Sequence, residues 1–197
     1  MKKRKKRTKK ISLFPRTACA VLFTAAYITA LVWIHWHICR IEGSSMEPSY
    51  GNGDLVYTET LPEGSAPALG DVVILEPPEG TGGLSFLPWR TLLTKRVVGL
   101  PGDFLEVRED GLYRNGQRLS EPYVESWEEP EYLAVELREG EYFVLGDNRD
   151  VSFDSRAFGP VKKESFKRII RKIFFGCDAA GTARASKWDY EILRFFS

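Results

Sequence analysis

Three short segments hold the residues that could do chemistry, and histidine is in none of them. The first is Gly43-Ser44-Ser45-Met46-Glu47-Pro48-Ser49. The second runs Thr91-Leu92-Leu93-Thr94-Lys95-Arg96-Val97-Val98-Gly99-Leu100-Pro101-Gly102-Asp103, and the third Gly146-Asp147-Asn148-Arg149-Asp150-Val151-Ser152-Phe153-Asp154-Ser155-Arg156. Taken singly, each has an ordinary reading. A serine bounded by Gly and Pro forms turns, a strand lysine can guard a sheet edge, and the polar third segment is either a turn or a hydrogen-bonded shell that orients a catalytic group. What joins them is elimination. His35 and His37, with Cys19 and Cys39, lie within or at the end of one apolar segment, so the rest of the chain has no His and one Cys, Cys177. A Ser-His-Asp or Cys-His apparatus is thereby excluded there, as is an internal disulfide, and a structural zinc site or other metal is not expected. A nucleophile in that region needs Lys, Asp or Glu as its base. On a strand of period two, Lys95 shares a face with Leu93 and Val97. If that face is the core, desolvation lowers the amine pKa, and a neutral amine can activate a serine.

The elements that must position these residues begin with an anchor. The 197 residues are 43% hydrophobic and 28% charged, enough for one buried core. Residues 1–16 carry nine basic side chains and no acid, which leaves 19 basic against 27 acidic ones in the remainder. An acidic body excludes a nucleic-acid-binding domain. From Thr17 to Cys39 no residue is formally charged, a length that can cross a bilayer core of ~20 residues. Arg16 and Arg40 bracket it, and Trp33 and Trp36 sit near its distal end, as interfacial aromatics do. The basic tail predicts an N-terminus in the cytoplasm and the rest outside the cytoplasmic membrane, with lipid contact along the tail. A cleaved signal peptide fits less well, because the apolar run is long and no small-x-small site follows it.

Beyond Ile41 the pattern is short and β-rich. Strands are expected at 54–58, 71–75, 91–98, 104–108, 141–145 and 169–175, with a hairpin closing at Asn115-Gly116. Glu121 to Glu139 reads as an acidic, Pro-interrupted exposed excursion. The expected architecture is mainly β, an antiparallel sheet or barrel-like catalytic domain after a single N-terminal transmembrane helix. Its divisions are a basic tail (1–16), an anchor (17–39), an extracytoplasmic domain (40–176) and a C-terminal tail (177–197). The apolar run Leu84-Ser85-Phe86-Leu87-Pro88-Trp89 is a candidate bilayer contact.

With its segments in this order, the chain resembles the bacterial type I signal peptidases, also called leader peptidases. The resemblance covers about Lys2 to Phe175. It rests on Gly43 to Pro48, on Gly70-Asp71-Val72-Val73, on Lys95 to Asp103, and on Gly146 to Arg156 continuing to Gly159-Pro160-Val161. It implies a Ser-Lys endopeptidase without cofactor that removes signal peptides from exported preproteins. Ser45 would be the nucleophile and Lys95 its general base. Ser152 would hydrogen-bond the lysine, Asp154 and Arg156 would pair to hold the site, and Asp147 falls on the motif's acidic position. Met46 would be a wall of the substrate pocket. The hydroxyl that some members place two residues before the nucleophile is Gly43 here, as in the compact Gram-positive-like members. A monomer is expected. The runner-up is a relative with a narrow substrate set, such as pilins or conjugation proteins; from another class, a membrane-anchored binding domain with a decayed site. Self-cleaving repressors share the dyad, but carry a DNA-binding domain where this chain has its anchor.

Overall fold

The computed structural model describes residues 14–62, 64–78, 92–128 and 132–176. The expectations for the basic tail, for Leu84–Trp89 and for 177–197 lie outside the described residues. The chain divides after His37 into two units.

The first unit is one helix, α1 (Phe14–His37). Leu22, Phe23, Tyr27, Leu31 and Trp36 all stand exposed on it. A helix apolar all round suits hydrocarbon, not one face of a water-soluble core. Thr24, Thr29 and His37 bond back to helix carbonyls. Thr24 Oγ1 donates to the Ala20 carbonyl at 3.0 Å and Thr29 Oγ1 to Ala25 at 2.9 Å. His37 Nδ1 lies 2.8 Å from the Trp33 carbonyl, and the two rings stack at 4.7 Å. The helix therefore stops two residues earlier than the apolar run suggests, and Cys39 belongs to a strand.

The second unit is mainly β, as expected. Among the described residues its strands are β1 (Ile38–Arg40), β2 (Leu55–Thr60), β3 (Val72–Leu75), β4 (Leu93–Gly99), β5 (Phe104–Arg108), β6 (Gly111–Arg114), β7 (Gln117–Arg118), β8 (Leu133–Glu136), β9 (Glu141–Leu145), β10 (Val161–Lys162) and β11 (Phe166–Phe175). They form one sheet in the order β1-β2-β11-β3-β4-β9-β10 and a second in the order β7-β6-β5-β8. Every pairing is antiparallel. A short helix, α2 (Ser155–Phe158), follows β9.

Alternation along the strands explains the packing. Val73 and Leu75 of β3 enter one core cluster with Val97, Val144 and Ile169, while Val72 and Ile74 enter another with Met46, Val56 and Ile170. Val98 turns from β4 into a third cluster with Leu105, Leu112, Leu137 and Phe143, which joins the two sheets. The larger sheet is thus buried on both faces at its centre, at β3 and the adjacent β4. Gly99 is required at that junction: a Cβ there would stand 2.5 Å from Leu105 Cδ1 and 2.7 Å from Leu137 Cδ1. The Asn115-Gly116 turn takes φ of 52° and 79°, the pair of positive values that a tight two-residue hairpin needs. One expectation fails. The acidic stretch 121–139 is no simple excursion, because Leu133–Glu136 pairs with β5 as β8.

Candidate active site

Lys95 is a central-strand residue. β4 is flanked by β3 and β9, with Lys95 opposite Val73, so the edge-guarding reading does not apply. Its side chain shares the core face with Val97 and is 2% exposed. Burial lowers its pKa from 10.5 to about 8, against the opposing pull of the Asp154 and Asp147 carboxylates. Desolvation wins because an ammonium loses more hydration than two indirect negative charges return.

Its single hydrogen-bond partner among the described residues is a serine. Lys95 Nζ donates to Ser45 Oγ at 2.8 Å, across 50 residues of sequence. Ser45 sits in a turn between β1 and β2, where Glu47 N–H donates to the Ser44 carbonyl at 3.1 Å and Tyr50 N–H to Met46 at 2.9 Å. The Glu47–Pro48 peptide in this turn is cis. Met46 pins the turn from beneath. At 1% exposed it is packed with Ile41, Val56 and Val72 in the core. Asn148 N–H donates to the Ser45 carbonyl at 3.1 Å, which ties the first segment to the third. Among the described residues no group accepts the Ser45 N–H.

The third segment packs around this pair. Asp154 is fully buried and caps α2. Its Oδ2 accepts from Gly146 N–H at 3.0 Å, and its carboxylate takes Arg156 Nε and Nη2, both at 2.9 Å. Asp147 is held by a fork from Arg96, at 2.8 Å from Nε and 2.5 Å from Nη2. That guanidinium also donates to the Gly70 carbonyl at 3.0 Å and lies over the Tyr123 ring at 4.0 Å. The four segments named from sequence therefore meet at one place. Ser152 arrives there with a difference. Its Oγ is buried and makes no hydrogen bond among the described residues, so the bond to Lys95 implied by the resemblance is not formed. It borders a cavity of about 510 Å³ lined also by Trp127, Tyr132, Leu133 and Arg156. Gly146 has to be glycine, since a Cβ there would collide with Ser152 Oγ and with the Ser45 carbonyl oxygen.

Several contributors had no assigned role in the sequence reading. Arg96 follows a buried position on β4, and strand alternation puts its side chain on the opposite side from Lys95. Ser155 Oγ accepts from Val144 N–H at 3.0 Å and fastens α2 to β9. Arg149, from the third segment, also reaches this region, as do Glu121, Tyr123 and Trp127, which had no local signal in sequence to announce them.

A serine hydroxyl beside a buried amine, on an antiparallel β scaffold, is an arrangement that can support nucleophilic catalysis without histidine. Comparison with known proteins identifies the family. The family described as "Signal peptidase, peptidase S26" matches residues 14–175. A relative named "Signal peptidase I" from Bacillus licheniformis is 34% identical over 147 residues, covering 68% of this chain and 74% of its own. "Signal peptidase I V" from Bacillus subtilis is 29% identical over 146 residues, covering 66% and 81%. A crystal structure of a signal peptidase I from Enterococcus faecalis is 33% identical, with a TM-score of 0.46, and covers 54% of this chain and 98% of that one. The chain belongs to the signal peptidase family, peptidase S26, and is an enzyme of that family.

Proposed function

We propose that the chain cleaves signal peptides from exported preproteins with Ser45 as nucleophile and Lys95 as general base, at the outer face of the cytoplasmic membrane. The observation that carries this reading is the 2.8 Å contact between Lys95 Nζ and Ser45 Oγ in a buried setting. Neutral Lys95 takes the Ser45 proton as Oγ attacks the scissile carbonyl carbon. The resulting ammonium returns that proton to the leaving amine, and the C–N bond breaks to give an acyl ester on Ser45. Lys95, neutral again, activates water to hydrolyse the ester. The unpartnered Ser45 N–H is available to the oxyanion. Gly43 brings no hydroxyl, so the second donor is a backbone group or a water. Asp154, Arg156 and Asp147 act through the backbone and through Lys95, and Ser152 offers an unused hydroxyl beside them.

The outer-face location rests on charge asymmetry: nine basic residues before the uncharged run 17–39 and Arg40 alone just after it. A single-pass anchor over α1, a peptidase domain after it and contact with membrane lipid follow from the same reading. The experiment is cleavage of a labelled preprotein by the full chain in detergent, with Ser45→Ala and Lys95→Ala alongside. Both variants stay folded and abolish cleavage, and the double variant is no worse than either single one, because the two act as a unit.

A further inference from the structure

Arg149 concentrates three contacts outside the Ser45–Lys95 pair. Its side chain has no exposed surface. Nε donates to the Gly146 carbonyl at 2.9 Å, and Nη1 and Nη2 donate to the two oxygens of Glu121 at 3.1 and 2.6 Å. Its guanidinium also lies over the Trp127 ring at 4.7 Å. Glu121 belongs to none of the four motifs and stands 28 residues before Arg149. The segment it opens is tied to the same region at further points. Tyr123 lies under Arg96, Ser126 Oγ donates to Asp150 Oδ2 at 2.8 Å, and Glu128 N–H donates to Asp150 Oδ1 at 3.0 Å.

The contact at Gly146 matters because of what touches that residue. Its N–H is held by Asp154 and its carbonyl by Arg149, so charged groups grip the peptide on both sides. Its Cα faces Ser152 Oγ and the Ser45 carbonyl too closely for a side chain, and two residues on Asn148 N–H holds that same carbonyl. A glycine resists displacement less than any other residue. The Gly146 backbone beside Ser45 is therefore held largely by these two charged groups, with the Arg96 fork on Asp147 and the Asn148–Ser45 bond following it in the chain.

We propose that Glu121 is a positioning residue for catalysis. By holding the Arg149 guanidinium it fixes the Gly146 carbonyl, and through it the 146–148 backbone against Ser45. This rests on the assignment of Ser45 and Lys95 above. Without the carboxylate, a buried guanidinium turns toward other acceptors or water and releases the Gly146 carbonyl. A shift on the order of 1 Å at a reacting pair costs up to ~100-fold in rate. Glu121 need not touch substrate, so the loss falls on kcat and spares KM.

The test uses the full chain in detergent and a labelled preprotein, with kcat, KM and thermal midpoint measured for each variant. Glu121→Gln keeps the shape and loses the charge; its kcat falls about 10- to 100-fold while KM stays within about twofold. Glu121→Asp keeps the charge with a shorter reach and recovers part of the rate. The double variant Glu121→Leu/Arg149→Met replaces the ion pair by apolar side chains, an exchange that cores tolerate. It keeps the midpoint but not kcat, because nothing holds the Gly146 carbonyl. Arg114→Met breaks a remote ion pair with Asp103, and it lowers the midpoint with kcat unchanged. Wild-type kcat in a folded Glu121→Gln variant, or in the double variant, overturns the proposal, as does an equal kcat loss in Arg114→Met. If Glu121→Gln does not fold, the double variant and Glu121→Asp decide the matter. Cleavage surviving in Ser45→Ala or Lys95→Ala overturns the dyad instead and leaves the Glu121 comparison standing.

Discussion

Replacing Lys95 by Met is expected to make the protein more stable and inactive at once. The side chain is 2% exposed, and burial holds its amine at about 8 instead of 10.5. Protonated Lys95 is therefore tolerated less well in the folded state than in the unfolded chain. Above about pH 10.5 the amine is neutral in both states and costs nothing. As pH falls from there to about 8, the unfolded chain takes up a proton that the folded one refuses, and stability drops; below about 8 the penalty is constant. A shift of two and a half pH units corresponds to about 3 kcal/mol at neutral pH. Methionine matches the length of lysine and carries no charge to desolvate. At roughly 2–4 °C per kcal/mol for a domain of this size, Lys95→Met raises the thermal midpoint by ~6–12 °C at pH 6–7. The gain shrinks to about two-fifths of that by pH 9.5. Tryptophan-fluorescence melts of the full chain in detergent at both pH values read this directly. A gain that does not vary with pH, or a destabilised variant, refutes the desolvation argument.

Lys95→Arg keeps the charge and approximate length but cannot lose its proton, so preprotein cleavage is as low as in Lys95→Ala; a working Arg variant means the proton goes elsewhere, with Asp154 next in line. Gly146→Ala forces a methyl against Ser152 and the Ser45 backbone oxygen, and cleavage falls at least ~100-fold by misplacement of the nucleophile, measured as kcat/KM. Gly99→Ala meets Leu105 and Leu137 at the junction of the sheets and lowers the thermal midpoint by several degrees, equivalent to ~1–3 kcal/mol, while the folded fraction keeps wild-type kcat.

The strands were legible wherever one face is buried and turns punctuate the ends. Phe104–Arg108 and Glu141–Leu145 fall where alternation and flanking Gly and Pro put them. Lys95 on a core face follows from its spacing to Leu93 and Val97. Ile38–Arg40 was lost in the apolar run because a strand of three residues has no period to detect. Leu133–Glu136 was lost among acids, since its outward positions are Ala134 and Glu136 and only Leu133 and Val135 mark its inner face. Met46, a motif residue beside a nucleophile, reads equally as pocket or as core from sequence, and its burial is set by packing that the sequence does not display. The Glu121–Arg149 pair leaves no local trace. Its partners are far apart in sequence, and a charge destined for burial looks the same as a solvated one.

The pH dependence of kcat/KM for preprotein cleavage by the full chain tests the Ser45–Lys95 assignment most directly. A single rising limb is expected, with half its plateau near pH 8, the value to which burial brings Lys95. Below it the rate falls about tenfold per pH unit as the amine takes up its proton. A profile that is flat from pH 6 to 10 would contradict the account, because it would mean that no group titrating near 8 has to be neutral for Ser45 to attack.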